Sequence, residues 1–323
     1  MKKIIVLIVT VLCCFALFYF CNNGAMRAKT EKYITVENGM SDAAITKLLK
    51  EKGIIKSKAV FKIVNKLSKK GYFKSGTGKF SSKMSYGEII DILVNKMDST
   101  VKVTIPEGYE LCDIVKLLSG KLGTSEDEFY NEIENGKFDY DFISELPPGK
   151  MRLEGFVFPD TYYFEKNSKP HDIINACLKR FSQIYTDDME KQAEKMGYNT
   201  LQIITLASII EKETSSDYEI VSSVFHNRLN SKEFKRLQSC ATVIYVTKNP
   251  KKRLNAEDIK VDSPYNTYLC DGLPPGPIAS PGEKAIYAAL NPAKTDYYYF
   301  SADGNGKNSF SKTYEEHLAK NRG

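Results

Sequence analysis

The chain has 323 residues, 42% hydrophobic and 27% charged, with a formal charge of +6. That is ordinary globular composition, long enough for more than one core, and so mild a positive balance serves solubility as readily as contact with an anionic surface. It holds no G-x-x-x-x-G-K-[ST] or G-x-G-x-x-G loop and no basic-aromatic ribonucleoprotein pattern, so neither nucleotides nor nucleic acids are expected partners.

Met1-Lys2-Lys3 opens the chain and an apolar run follows from Ile4 to Cys21, interrupted only by Thr10. That run is close to the minimum for a membrane-spanning helix. A cleaved signal peptide is the rival reading, but it needs small residues where Phe18-Tyr19-Phe20 stand. Phe20 before Cys21 argues equally against lipoprotein processing. The expectation is a cytoplasmic stub (1–3), one uncleaved transmembrane anchor (4–21) and a linker (22–33). The rest faces outward from the cytoplasmic membrane, because Lys2 and Lys3 stay inside. Cys13, Cys14 and Cys21 fall in or at the anchor. Cys112, Cys177, Cys240 and Cys270 are scattered through the exterior part, where unpaired thiols are expected.

The exterior part begins with a repeat. Residues 34–49, ITVENGMSDAAITKLL, and 103–118, VTIPEGYELCDIVKLL, share six aligned identities, and a weaker copy, GKFSSKMSYGEIIDIL, spans 78–93. Each copy runs from a β-rich stretch through a turn, at Gly39 and Gly108 in the two clearer copies, into an apolar helical face. Those faces are Ile45, Leu48 and Leu49, then Ile89, Ile92 and Leu93, then Ile114, Leu117 and Leu118. Ser85 and Glu88 form a capping box, and Ser57 caps a further helix to Leu67. Such strand-helix units can bind glycans or simply pack as a stalk.

From about residue 124 the pattern changes. Ser125 caps an acidic helix ending near Gly136, and Pro147-Pro148-Gly149 is a turn. Helical patterns cover 170–184, 186–196 and roughly 218–230, and Asn199-Thr200 cap a helix between the last two. Short β-rich runs at Ala241–Thr247 and Tyr297–Ser301 alternate with Pro/Gly loops. The predicted class is α+β, with an anchor, a small strand-helix subdomain (34–120) and a mixed α+β domain (121–323).

In the helix that starts near Leu201, apolar side chains point almost all round, the mark of a buried helix. The run stops at Glu211, on one stripe with Ile204 and Ala207, while Glu213 projects from the opposite side. Glu211 is therefore expected to emerge from the core into a cleft, its proton held by desolvation, as suits a general acid. A carboxylate that merely begins the polar end of a helix, or pairs with a nearby cation, fits the same segment.

An ordered series of motifs decides between those readings. LEGFVFPDTY (153–162), ASIIEKET (207–214), VFHNRL (224–229), RLQSCATVIY (236–245), SPYNTYLCDGLPPGPIASPG (263–282), ALNPAKTDYYYF (289–300) and FSKTYEEH (310–317) closely resemble the endolytic murein transglycosylase family, also called the YceG-like or MltG family. The resemblance covers nearly all of the exterior chain, and the family pattern includes a membrane anchor and a LysM-like subdomain. It implies non-hydrolytic cleavage of peptidoglycan glycan strands between N-acetylmuramic acid and N-acetylglucosamine, with Glu211 as the catalytic carboxyl and no cofactor. The family's role in ending glycan elongation also implies peptidoglycan synthases as partners.

One carboxyl can serve both proton transfers, whereas ordinary glycosidases need two. Glu154 and Asp160 are candidate second carboxylates, or equally structural acceptors in the LEGFVFPDTY turn. The chain has no Trp, so sugar stacking falls to Tyr or Phe. Tyr265, Asn266 and Tyr268 combine aromatic faces with hydrogen-bonding groups. Gln238, Thr242 and Tyr245 are expected to alternate along one β-rich run, and Asn227 in VFHNRL and Glu154 complete the candidate sugar contacts. Scaffold packing is the competing account of each. His171, His226 and His317 are too scattered to suggest a metal. One departure stands out: where the family commonly has Thr or Ser, then Asp, then Pro, this chain has Ser239-Cys240-Ala241, with Cys240 expected to be buried. The contrasting function is a membrane-anchored peptidoglycan-binding scaffold without catalysis, and the intact ASIIEKET favours the enzyme. Hydrolysis of the same strands is a third option, disfavoured by the lack of an obvious second carboxylate.

Overall fold

The computed structural model describes residues 31–68, 70–97, 100–248, 254–302 and 308–320. The expected stub and anchor, and the linker as far as residue 30, lie outside them. Among the described residues no helix is long and apolar enough to cross a membrane. The chain divides into two compact units, one formed by the segment up to Val103 with Tyr162–Asn167, the other by Thr104–Thr161 and Ser168 onward. The class is mixed α+β, as expected, with small two-stranded sheets throughout.

The first unit is built from β1 (Glu31–Val36), α1 (Asp42–Glu51), α2 (Lys58–Ser68), β2 (Gly76–Ser81) and α3 (Tyr86–Asp91), the last continued by a π turn over Ile92–Lys96. β1 and β2 pair antiparallel, from Glu31 opposite Ser81 to Val36 opposite Gly76. The caps fall where the sequence puts them. Ser57 accepts the Val60 N–H, and Ser85 with Glu88 closes a capping box; Ser41, not among the expected caps, accepts the Ala44 N–H. Ile34, Val36, Ile45, Leu49, Phe61, Phe80, Tyr86 and Ile89 form one core. Tyr86 is also a tie, because its buried hydroxyl accepts the N–H groups of Lys56 and Ser57. β3 (Thr100–Thr104) pairs with β4 (Thr161–Glu165). All three expected strand-turn-helix copies therefore form, and the division between units runs through the third, at Val103/Thr104.

The second unit contains α4 (Leu111–Leu122), α5 (Glu126–Asn135), α6 (Pro170–Ile184), α7 (Asp187–Lys195), α8 (Thr200–Glu213), α9 (Tyr218–Asn230), α10 (Cys240–Thr247), α11 (Glu283–Leu290), the hairpin β5 (Tyr299–Ala302) with β6 (Asn308–Ser311), and α12 (Tyr314–Lys320). α8 is its axis. Ile203, Ile204, Leu206, Ile209 and Ile210 are all fully buried. Each buried side chain of this kind is worth about 1.5–3 kcal/mol relative to exposure, so the helix cannot slide or withdraw. α9 and α11 pack against it. An Asn199–Gln202 capping box fixes where it starts.

One expected strand is a helix. Thr242, Val243, Ile244 and Val246 favour a strand by propensity, yet Cys240–Thr247 is α10. Tertiary context overrides propensity here. Ala241, Thr242 and Val243 are buried, and the α10 N-terminus is capped from another element, as described below. Lys248 ends the helix in the left-handed conformation. Gln238, Thr242 and Tyr245 thus do not alternate along a strand: Gln238 precedes the helix at φ 54° and the other two stand on it.

Candidate active site

Glu211 lies in the last turn of α8, where the buried stripe reaches the surface. Two loops meet it. The first is the Ile105–Tyr109 turn, which Gly108 closes at φ +71°, a conformation that glycine adopts without strain. The second runs from Ile278 to Gly282. They are laced together by Gly108 N–H to Ser280 O (2.9 Å) and Ser280 N–H to Tyr109 O (2.8 Å). Ser208 of α8 accepts the Ile278 N–H at 3.0 Å, and the Lys212 ammonium donates to Gly108 O at 3.2 Å, so both loops are tied to α8 itself. Behind them Gly155 (φ +84°) lies against Pro277. A Cβ there would fall 2.5 Å from the proline ring, so LEGF and GLPPGPI can close only over glycine.

The result is a carboxyl at a helix N-terminus. Gly282 is the N-cap of α11, and its N–H donates to Glu211 Oε2 at 3.0 Å. The Tyr218 hydroxyl donates to the same carboxyl. Glu107 lies directly over Gly282, since a Cβ on Gly282 would fall 2.1 Å from Glu107 Oε1. Burial raises the Glu211 pKa. The Gly282 and Tyr218 donors and Lys212 pull it back, Glu107 adds to the rise, and the net direction is upward. The Glu211 neighbours Glu107 and Tyr218 line a cavity of about 730 Å³, with Met189, Ser215, Ser216, Glu219, Glu283, Lys284 and Tyr287; Glu211 itself is not among the lining residues. Tyr287 is half exposed there.

Glu213 faces the opposite way, as the helical spacing requires, but it does not face open water. Its carboxyl accepts the Ser239 hydroxyl and the Ala241 N–H. It thereby caps the first turn of α10 from outside, and Ser239, the N-cap residue, makes no side-chain cap of its own. Burial drives the Glu213 pKa upward too. A second cavity, about 300 Å³, adjoins it and is lined in part by Gln238, Tyr268, Arg228, Tyr299 and Cys240. Gln238 accepts from Arg228 (3.0 Å), whose guanidinium also donates to the carbonyls of Arg236, Leu237 and Tyr298. Cys240 is exposed rather than buried, its sulfur 3.0 Å from the Tyr268 hydroxyl. The four described cysteines are free thiols.

The remaining expected site residues are dispersed. Glu154 caps α4, accepting the Leu111 N–H at 2.9 Å and the Tyr245 hydroxyl at 3.2 Å. Burial lifts its pKa to about 8, against the pull of those two donors. Tyr265 packs on Tyr245, ring centres 5.2 Å apart. Asp160 pairs with Arg180 at 2.7 Å. Asn266, fully buried, donates to the carbonyls of Ile259 and Val261, Asn227 donates to those of Thr295 and Tyr297, and the Thr242 hydroxyl meets Thr267 and Ser239 O. Neither proposed second carboxylate adjoins Glu211. The carboxylate that does is Glu107, which the sequence reading did not single out. Its signal was present: it immediately precedes the turn glycine of the third repeat, in PEG.

A sequence profile of the YceG-like family matches residues 34–323. The chain is 33% identical over 304 residues to an endolytic murein transglycosylase of Bacillus subtilis (strain 168), covering 90% of this chain and 84% of that one. It is 27% identical over 326 residues to a protein of the same description from Streptococcus pneumoniae serotype 2, spanning 58% of that relative's length. A crystal structure of a yceG-like protein from Listeria monocytogenes superposes with a TM-score of 0.60 at 30% identity, over 91% of this chain and all of the other.

Proposed function

The chain belongs to the YceG-like family, and from that premise we propose that it is a membrane-anchored endolytic lytic transglycosylase of peptidoglycan glycan strands, with Glu211 as its acid and base. The observation that carries the reading is the half-buried Glu211 carboxyl, held by two donors with Glu107 beside it, where Glu107 and the donor Tyr218 both line the larger cavity. Desolvation shifts Glu211 toward its protonated form. Glu211 then gives its proton to the glycosidic oxygen as the C1–O bond of the muramoyl residue breaks. The carboxylate left behind is stabilised by the Gly282 N–H and the Tyr218 hydroxyl. It next takes the proton of the muramoyl 6-hydroxyl, whose oxygen attacks C1 and closes the 1,6-anhydro ring. Glu211 ends protonated, and no water is consumed. Glu107 opposes early ionisation of Glu211 and presents negative charge where C1 becomes positive.

Tyr287, half exposed, is the stacking surface of this cavity. Of the sugar contacts expected from sequence, Gln238 and Tyr268 stay as candidates for the cavity that Glu213 lines, although Gln238 already accepts from Arg228 and the Tyr268 hydroxyl meets Cys240; Asn227 lines a further cavity, but its amide is engaged by two carbonyls. Glu154, Asn227, Thr242 and Asn266 are read as structural, since their polar atoms are engaged within the fold, and Tyr245 and Tyr265 as the packing around Glu154. Residues 4–21 anchor the protein in the cytoplasmic membrane, residues 34–120 are a LysM-like subdomain, and cleavage near the membrane would end nascent strands beside the synthases that make them.

Incubating the full chain in detergent with purified glycan strands and identifying product ends by mass spectrometry tests the reaction. 1,6-Anhydromuramoyl ends are expected. Reducing muramic acid ends as the main product would indicate hydrolysis, and uncut strands that remain bound would indicate a scaffold.

A further inference from the structure

α2 carries an outward face that the fold does not use. Phe61 is its only fully buried residue. Val60 and Val64 pack partly on the core beside it. On the other side Ile63 is 50% and Leu67 70% exposed, one helical turn apart on the same stripe as exposed Ala59. Lys58, Lys62 and Lys66 flank that stripe and are exposed. The helix, KAVFKIVNKLS, contains no acidic residue, and these three lysines enter no ion pair among the described residues. Nearby carboxylates are already occupied: Asp91 pairs with Lys70 and Lys96, and Glu51 with Lys47.

An apolar stripe bordered by unpaired lysines is the pattern of a helix lying in a lipid–water interface. Chain length points to the same partner. The apolar run ends at Cys21 and β1 begins at Glu31. At no more than about 3.5 Å per residue, residues 22–30 hold the start of this unit within roughly 30 Å of the point where the run ends. So short a tether gives any surface attraction a high effective concentration.

We infer that the Ala59–Ile63–Leu67 face of α2, with Lys58, Lys62 and Lys66, docks on the anionic lipid surface of the membrane that holds the anchor. The inference rests on reading residues 4–21 as that anchor. Docking would fix the height and orientation of the first unit above the bilayer, which a tether alone leaves free.

The absence of Trp supplies a clean probe. Leu67→Trp in the full chain, at a site 70% exposed, places a single indole on the face. The protein is reconstituted in vesicles with brominated acyl chains, either pure phosphatidylcholine or phosphatidylcholine with a quarter phosphatidylglycerol. A blue shift and a roughly twofold loss of emission are expected in the anionic vesicles only, reversed by high salt or by Lys58→Glu/Lys62→Glu/Lys66→Glu. Emission of a water-exposed indole in anionic vesicles overturns the inference, as does quenching that ignores lipid charge. A shift produced instead by purified glycan strands, or by protein concentration without lipid, assigns the face to glycan or to a second copy and overturns it too. The anchor is scored separately: vesicle flotation at high salt and an intact Met1 or Lys2 support it. If flotation fails, excess anionic vesicles must still produce salt-sensitive quenching, or docking fails on its own.

Discussion

Glu211 and Glu213 are two residues apart on the last turn of α8, and by local chemistry they are near twins. Each accepts one backbone N–H at the start of another helix and one side-chain hydroxyl, each has its pKa raised chiefly by burial, and each adjoins a cavity. What separates them lies one step further out. Glu211 has a second carboxylate, Glu107, beside it, and Glu107 and Tyr218 line the larger cavity. Glu213 receives the N–H that starts α10 and the hydroxyl of its N-cap residue. A perturbed carboxyl is therefore a poor signature of a catalytic acid by itself. On the proposed reading it is the neighbouring Glu107 carboxylate, opposing ionisation of Glu211, that distinguishes the acid from the structural group, because Glu213 itself lines a cavity.

The largest test of that contrast is Glu211→Gln. The amide keeps shape and reach but has no proton to give, and general acid–base catalysis is typically worth about 10²–10⁴-fold. Because one group serves both transfers, the rate of strand cleavage should fall by about 10⁴ or more, with the far-ultraviolet circular dichroism and melting temperature of the parent retained. A folded Glu211→Gln protein cutting at the parent's rate, or a dead Glu213→Gln beside an active Glu211→Gln, reverses the assignment.

The second test concerns stability rather than rate. Glu213→Ala leaves the α10 cap and the Ser239 hydroxyl without their acceptor. Losing a cap costs about 0.5–2 kcal/mol and stranding a buried donor about 1–3 kcal/mol, so thermal unfolding should move down by several degrees. Glu213→Gln retains an acceptor oxygen and should recover part of the loss, with cleavage per folded molecule within severalfold of the parent. Unchanged melting in Glu213→Ala would remove the capping role.

These contrasts were only partly visible in the sequence. The buried stripe ending at Glu211 was legible because helical period and an uninterrupted apolar run are local properties. So were the Ser57, Ser85, Ser125 and Asn199 caps, each set by a residue and its neighbour three positions on. α10 was not legible, because what overrides the strand preference of its residues is burial and a cap supplied by Glu213, a residue 27 positions before the first residue of that helix. The same holds for the expected sugar contacts. A polar residue beside an aromatic looks alike in sequence whether it points into a cleft, as Tyr268 does, or holds carbonyls inside the fold, as Asn266 does. The departure at Ser239-Cys240-Ala241 gains a meaning only in three dimensions, where Ala241, unlike proline, has the N–H that Glu213 accepts.

The finest test separates the influences on Glu211 by their sign. Lys212, Tyr218 and the Gly282 N–H favour its ionised form, and Glu107 disfavours it. A general acid works while protonated, so cleavage should decline as pH rises through the Glu211 pKa. Glu107→Gln removes a neighbouring negative charge, lowers that pKa and should move the alkaline limb of the pH–rate profile to lower pH. Tyr218→Phe removes a donor to the carboxylate, raises the pKa and should move the limb to higher pH. Glu107→Gln should also slow the reaction at its optimum, because it takes away charge facing the developing cation. Tyr218→Phe should lower the optimal rate less, since Gly282 still holds the carboxylate. Glu213→Gln should leave the limb in place. The profiles of kcat/KM on a soluble glycan fragment report all three, and limbs that move together, or a shift with Glu213→Gln, would mean that the titrating acid is not Glu211.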